Sequence, residues 1–104
     1  MSAEPERQSW FLEEADDDVT VAFRWYESRR VALGEEFVAA VGAAIEPLLR
    51  FPESGEVFYR DTRRCLVERF PFEVFYRLDG DLIVVVAVMH AARDPEAILR
   101  RVGG

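Results

Sequence analysis

CLVERFPFEVFYRLDGDLIVVVAVM, residues 65–89, is the stretch that decides the fold. From Phe72 the side chains alternate, with Phe72, Val74, Tyr76 and Leu78 on one face and Glu73, Phe75 and Arg77 on the other, which is the period of a strand. Cys65 to Phe70 reads as a strand before it. Asp79-Gly80 marks a two-residue hairpin turn, whose central positions favour positive φ. Leu82 to Met89 then runs without a polar residue, as a central strand covered on both faces does.

Upstream of this ribbon the period changes to that of helices. Gln8 to Leu12 reads as a short strand after seven frayed residues, and Glu13, Glu14, Asp16, Asp17 and Asp18 sit where a helix start favours negative charge. The spacing predicts a helix from about Ala15, with Ala15, Val19, Ala22 and Tyr26 as one apolar stripe. Val21 and Trp25 form a second stripe beside it, so this helix is expected to be buried on more than one side, with Trp25 packed. Gly34 breaks the pattern, and Phe37, Val41, Ala44, Ile45 and Leu48 begin a second helix. Pro47 should kink that helix or end it early. Phe51-Pro52 and Gly55 close the helical half. Downstream, Asp94-Pro95 caps a short helix to about Arg101. The expected class is α+β, in the order β-α-α-β-β-β(-α), with a helical hairpin packed on an antiparallel-rich sheet.

The composition is that of one folded domain. At 104 residues, half hydrophobic and 32% charged, the chain can bury a modest core, and residues 1–104 read as one unit with its core at about 8–101. The longest apolar run is far shorter than the ~18 residues of a spanning helix, and charges stand where a signal peptide would be apolar. The expected location is therefore cytoplasmic, with no membrane partner. Cys65 and His90 are the only cysteine and histidine. No internal disulfide or Cys/His zinc site can form, and no metal or cofactor is expected. The net charge of −7 is uneven: residues 1–20 carry −6, residues 21–60 carry −1, and residues 61–104 are neutral. All 13 basic residues are arginine, side chains that meet phosphate or carboxylate as planar forks.

Five fragments in this order resemble the RelE/ParE superfamily of type II toxins. They are WYE at 25–27, GEEF at 34–37, FPE at 51–53, RRCLVERFPFEVFYR at 63–77 and VMHAARDP at 88–95. The likeness is nearer to the ParE-like branch, often labelled plasmid stabilisation proteins. It implies a helical hairpin on a sheet, a cognate antitoxin laid across that surface, and one of two activities. ParE-like members poison DNA gyrase by binding it; RelE-like members cut messenger RNA on the ribosome. A third reading is an inert relative that only binds its antitoxin.

Several residues are candidates for either activity. Arg63, Arg64, Arg69, Arg77, His90 and Arg93 are the candidate target-binding set. If the chain were a metal-independent endoribonuclease, His90 would act as general acid or base, with Arg69, Arg64, Arg93 and Tyr76 around the phosphate. Plainer readings stand beside these. The arginines can pair with Glu68, Glu73, Asp79 and Asp81 across strands, each exposed pair contributing about 0–1 kcal/mol. His90 can be a hydrogen-bonded cap near the C-terminal helix, and Cys65 a small core residue. Arg69, sharing a strand face with Cys65 and Val67, is expected to be semi-buried and to need a partner. A ribosome-directed nuclease normally carries a local excess of basic charge. Here the richest segment is only neutral, and the lysines of RelE-like sites are absent. Binding is therefore favoured over catalysis, with His90 to Arg101 as the stretch expected to meet the target.

Overall fold

The structure, a computed structural model, describes residues 7–103. Six of the seven residues read as frayed lie outside the described residues. The elements are β1 (Gln8–Phe11), α1 (Glu13–Arg29), α2 (Leu33–Ile45), a 3-10 turn (Glu46–Leu49), β2 (Glu56–Tyr59), β3 (Thr62–Leu66), β4 (Phe72–Asp79), β5 (Leu82–His90) and α3 (Pro95–Val102). The sheet order is β1-β5-β4-β3-β2. Among the described residues only the β1–β5 pair is parallel.

Both faces of the sheet are covered, which is why β5 carries no polar residue before His90. The α1–α2 hairpin packs on one face, where Phe37, Val41, Val74, Val85 and Val88 share a core. On the opposite face Ile98 of α3 meets Phe75, Ala87 and Met89. A bulge sets this division. Phe75 pairs with Ala87 but Tyr76 pairs with Val85, leaving Val86 as the extra residue. The strand is thereby shifted by one position, and Val85 and Val88, three apart, both face the hairpin.

The hairpin is built by two of the quoted fragments. Glu27 Oε2 accepts the Ala32 N–H at 2.9 Å and Oε1 accepts the Gly34 N–H at 2.8 Å, so one carboxylate caps the start of α2. Ala32 has a left-handed backbone, φ 71°. A Cβ on Gly34 would stand 2.6 Å from the Phe23 carbonyl oxygen. The close crossing of the two helices requires glycine there.

Four local expectations are revised. The strand from Cys65 ends at Leu66, because Arg69 adopts φ 70° and the chain turns before Phe72. Arg69 is thus on a turn, with 67% of its side chain exposed and its guanidinium 3.6 Å from Glu36 of α2. The β4–β5 turn is centred on Gly80-Asp81, since Asp79 pairs with Leu82, and only Gly80 has positive φ, at 59°. A glycine at the first central position is the II′ pattern. The four-residue edge strand β2, not separated in the sequence, adds a fifth strand to the sheet. Finally, Val21 and Trp25 are 67% and 53% exposed. α1 lies over β5, and α2 packs on one side of it only, so among the described residues nothing covers the second stripe. Pro47 falls in the 3-10 turn that ends α2 at Ile45.

Candidate functional site

The uncovered side of α1 forms one wall of a groove of about 630 Å³. Val21 and Trp25, one helical turn apart, line that wall. Pro71 and Phe72 from the start of β4, with Val88 and Met89 of β5, make the opposite wall and floor. The rim is polar, with Asp17 and Asp18 towards the start of α1, His90 at the end of β5 and Arg93 just beyond it. Trp25 is held in place by Arg29, whose guanidinium carbon lies 4.4 Å from the indole centroid, and by an edge contact with Tyr26. Such a surface is apolar enough to bind a partner's side chains and polar enough at its ends to orient them.

At the Asp18 end a long-range contact closes the groove. Arg101 of α3 makes a two-pronged ion pair with Asp18, at 3.0 Å to Oδ1 and 2.9 Å to Oδ2. Asp18 Oδ2 also accepts the Val88 N–H at 3.0 Å. The hydrogen bond to Asp18 raises the Arg101 pKa above its ordinary value, against the lowering effect of burial. No local pattern signals this pair, whose members are 83 residues apart.

The residues proposed for phosphate chemistry do not converge. Tyr76 is fully buried, its hydroxyl donating to the Pro52 carbonyl at 2.8 Å and accepting the Gly55 N–H at 3.0 Å. Burial pushes its phenol pKa up. Arg63 donates to the carbonyls of Glu53 and Gly55, both at 2.8 Å, and so braces the same loop. Arg64, on the opposite face of β3, is flanked by Glu56 at 2.6 Å and Glu73 at 3.6 Å. Arg77 is half-buried on the α3 side of β4, and Arg69 lies on its turn beside α2. Only His90 and Arg93 share the groove. His90 Nδ1 accepts the Ala92 N–H at 3.0 Å, shaping the turn into α3, while the cap of α3 itself is Asp94, which accepts the Glu96 N–H.

Cys65 faces the hairpin core, with its thiol 3.8 Å from the Ala44 carbonyl oxygen. Burial, with the Glu73 carboxylate second, pushes its pKa from the ordinary 9.0 up to about 11. With so small a thiolate fraction, the folded thiol should react with a disulfide reagent at pH 8 about a hundredfold more slowly than the unfolded one. A thiol-release assay with and without denaturant checks this, and equal rates would show Cys65 to be accessible and activated. The sign for stability follows from the neutral form being favoured in the fold. This contribution is fully present below pH 9 and is lost as pH rises towards 11.

Comparison with known proteins gives the family. The profile of a family described as "ParE toxin of type II toxin-antitoxin system, parDE" matches residues 11–95. Among solved structures, a chain described as "Chromosomal ParDE TA system from P. aeruginosa" superposes with a TM-score of 0.69. Its identity is 17%, and the alignment covers 82% of this chain and 96% of that chain, a likeness of fold. No curated protein sequence matches the chain. The family match runs from the end of β1 to the first residue of α3 and includes all five fragments quoted above, so the chain belongs to the ParE toxin family of type II toxin–antitoxin systems.

Proposed function

We propose that this toxin acts in the cytoplasm by binding and inhibiting DNA gyrase, without hydrolytic chemistry, and that a cognate antitoxin silences it by seating in the α1–β5 groove. The observation that carries the binding reading is the dispersal of the nuclease candidates. Tyr76 uses its hydroxyl inside the fold, Arg64 lies between two carboxylates, and Arg69 sits on a turn beside Glu36 of α2, apart from His90 and Arg93 on the groove rim. General acid–base cleavage needs these groups within hydrogen-bond reach of one phosphate. The gyrase target is what the ParE-like resemblance implies, and Arg77, His90 and Arg93, with no ion pair among the described residues, are the members of the proposed set left open to meet it. No described helix is long and apolar enough to cross a membrane.

The test is to express the chain and then assay the purified protein on gyrase supercoiling and on ribosome-dependent messenger cleavage. Growth arrest, blocked supercoiling and intact messenger are expected. Cleavage that disappears in His90→Ala would instead establish the RelE-like activity. Unimpaired growth would identify an inert antitoxin-binding relative.

A further inference from the structure

One row of residues crosses the whole sheet on the face that carries α3. Trp10 of β1 pairs with Val84 of β5, and Val84 pairs with Arg77 of β4. Thr62 of β3 continues the Arg63–Tyr76 register by one step and so stands beside Arg77, and Thr62 pairs with Tyr59 of β2. Paired residues point to the same face of a sheet. Ile83 and Val85, on either side of Val84, pack with Leu48 and with Phe37 of the helical half, which puts the row on the other face. Four strand spacings make it about 19 Å long. α3 packs beside it on Phe75, Ala87 and Met89, and meets it where a Cβ on Gly103 would stand 3.2 Å from the Tyr59 ring.

Val84 and Thr62 are buried, whereas Trp10 is 64% exposed and Arg77 and Tyr59 are half-buried. What the row presents outward is therefore an arginine with an aromatic ring two strands away on each side. Two further arginines stand at the Tyr59 end. The Arg60 guanidinium carbon lies 5.2 Å from the Tyr59 ring centroid, and Arg100 of α3 lines a hollow with Tyr59 and Leu99. Arg60, Arg77 and Arg100 have no ion pair among the described residues. Arg64, two residues along β3 from Thr62 and on the same face, is by contrast held between Glu56 and Glu73. Tryptophan, tyrosine and arginine are the side chains most enriched at the energetic centres of protein interfaces.

We infer that this row is the surface by which the toxin grips its target, and that it takes an acidic patch of a protein, with Arg77 receiving a carboxylate between Trp10 and Tyr59. The inference rests on the chain acting by binding rather than cleavage. It divides the open members of the target-binding set, for Arg77 belongs to the row while His90 and Arg93 belong to the groove rim. Arg60, Arg77 and Arg100 against the neighbouring Asp61 and Asp79 leave a surplus of one positive charge. That surplus matches one or two carboxylates, whereas a run of phosphates calls for several cations. The groove opens beside α1 and the row lies on the face that carries α3, and α3 borders both, through Arg101 and Arg100. An antitoxin in the groove therefore adjoins the helix that walls the target surface.

The test compares the parent toxin with Arg77→Glu, Trp10→Ala and, as a control, Trp25→Ala. For each, growth arrest, inhibition of supercoiling by the gyrase holoenzyme and affinity for the antitoxin, taken as the product of the adjacent short reading frame, are measured. Arg77→Glu should raise the concentration for half-inhibition about thirtyfold and Trp10→Ala about tenfold, and both should relieve growth arrest. Their antitoxin affinity should stay within about threefold of the parent. Trp25→Ala should keep its potency on the target. Where circular dichroism shows Arg77→Glu unfolded, Arg60→Glu, at an exposed turn, gives the charge reading. Undiminished potency in the row variants would overturn the inference and leave the gyrase reading standing. A parent that arrests growth without inhibiting supercoiling would overturn the gyrase reading, and growth arrest in the row variants would then decide the inference. Binding of the toxin alone to a DNA duplex, lost in Arg77→Glu, would overturn the protein occupant. A parent that neither arrests growth nor inhibits supercoiling would overturn both readings.

Discussion

Phe37→Ala is expected to lower the stability of the free toxin by about 3–5 kcal/mol, the range for truncating a fully buried aromatic side chain. Phe37 has no exposed surface. Its ring stacks on Tyr26 at 5.3 Å and meets Phe70 at 5.3 Å and Phe72 at 4.9 Å, edge on. One side chain thereby joins α1, α2, the β3–β4 turn and β4, and the remaining rings cannot close the cavity without moving a whole element. Domains of this size have about 5–15 kcal/mol in total. At roughly 4–8 °C per kcal/mol, the midpoint of thermal unfolding should fall by more than about 12 °C. Val38→Ala, one residue along and 43% exposed, is the control. It should change stability by less than about 1 kcal/mol. Equal losses in the two variants, followed by circular dichroism in urea or heat, would show that the core does not centre on Phe37.

Trp25→Ala is expected to weaken antitoxin binding by about thirtyfold or more, since a tryptophan at the centre of an interface commonly contributes 2 kcal/mol or more when truncated. The residue is 53% exposed in the free toxin and stands over the groove between Val21 and the Phe72 wall. Its exposure separates the two possible effects of the change. Little of the ring is needed for folding, so the variant should unfold within a few degrees of the parent while losing affinity. Titration calorimetry with the antitoxin measures this directly. An affinity within threefold of the parent would place the antitoxin elsewhere, and growth inhibition by Trp25→Ala should then remain fully neutralised by the co-expressed partner.

Much of the fold could be read from short-range rules. Gly34 marks the hairpin because a Cβ would strike the Phe23 carbonyl, and Asp94-Pro95 starts α3 because an aspartate caps and a proline fits the first turn. The unbroken apolar run of β5 announced a strand with both faces covered, as the hairpin and α3 confirm. Less of the candidate site was legible. Of the residues named as candidates, His90 and Arg93 lie together on the groove rim, whereas Tyr76, Arg63 and Arg64 carry the same residue types while making contacts inside the fold. A tyrosine that braces a loop and one that meets a phosphate have the same spacing in a strand.

By itself the sequence determined most of the helices and strands, though not the edge strand β2, and the main core stripe of each helix, because periodicity and backbone φ act over a few residues. Only the tertiary structure decided what covers each face. Trp25 is exposed because α1 lies at the side of the hairpin with no neighbour beyond it among the described residues, and Arg69 points outward because its own left-handed backbone turns the chain early. Asp18 found Arg101 across 83 residues because the two helices pack on opposite faces of one sheet edge. Periodicity along the chain holds no information about a contact of that kind.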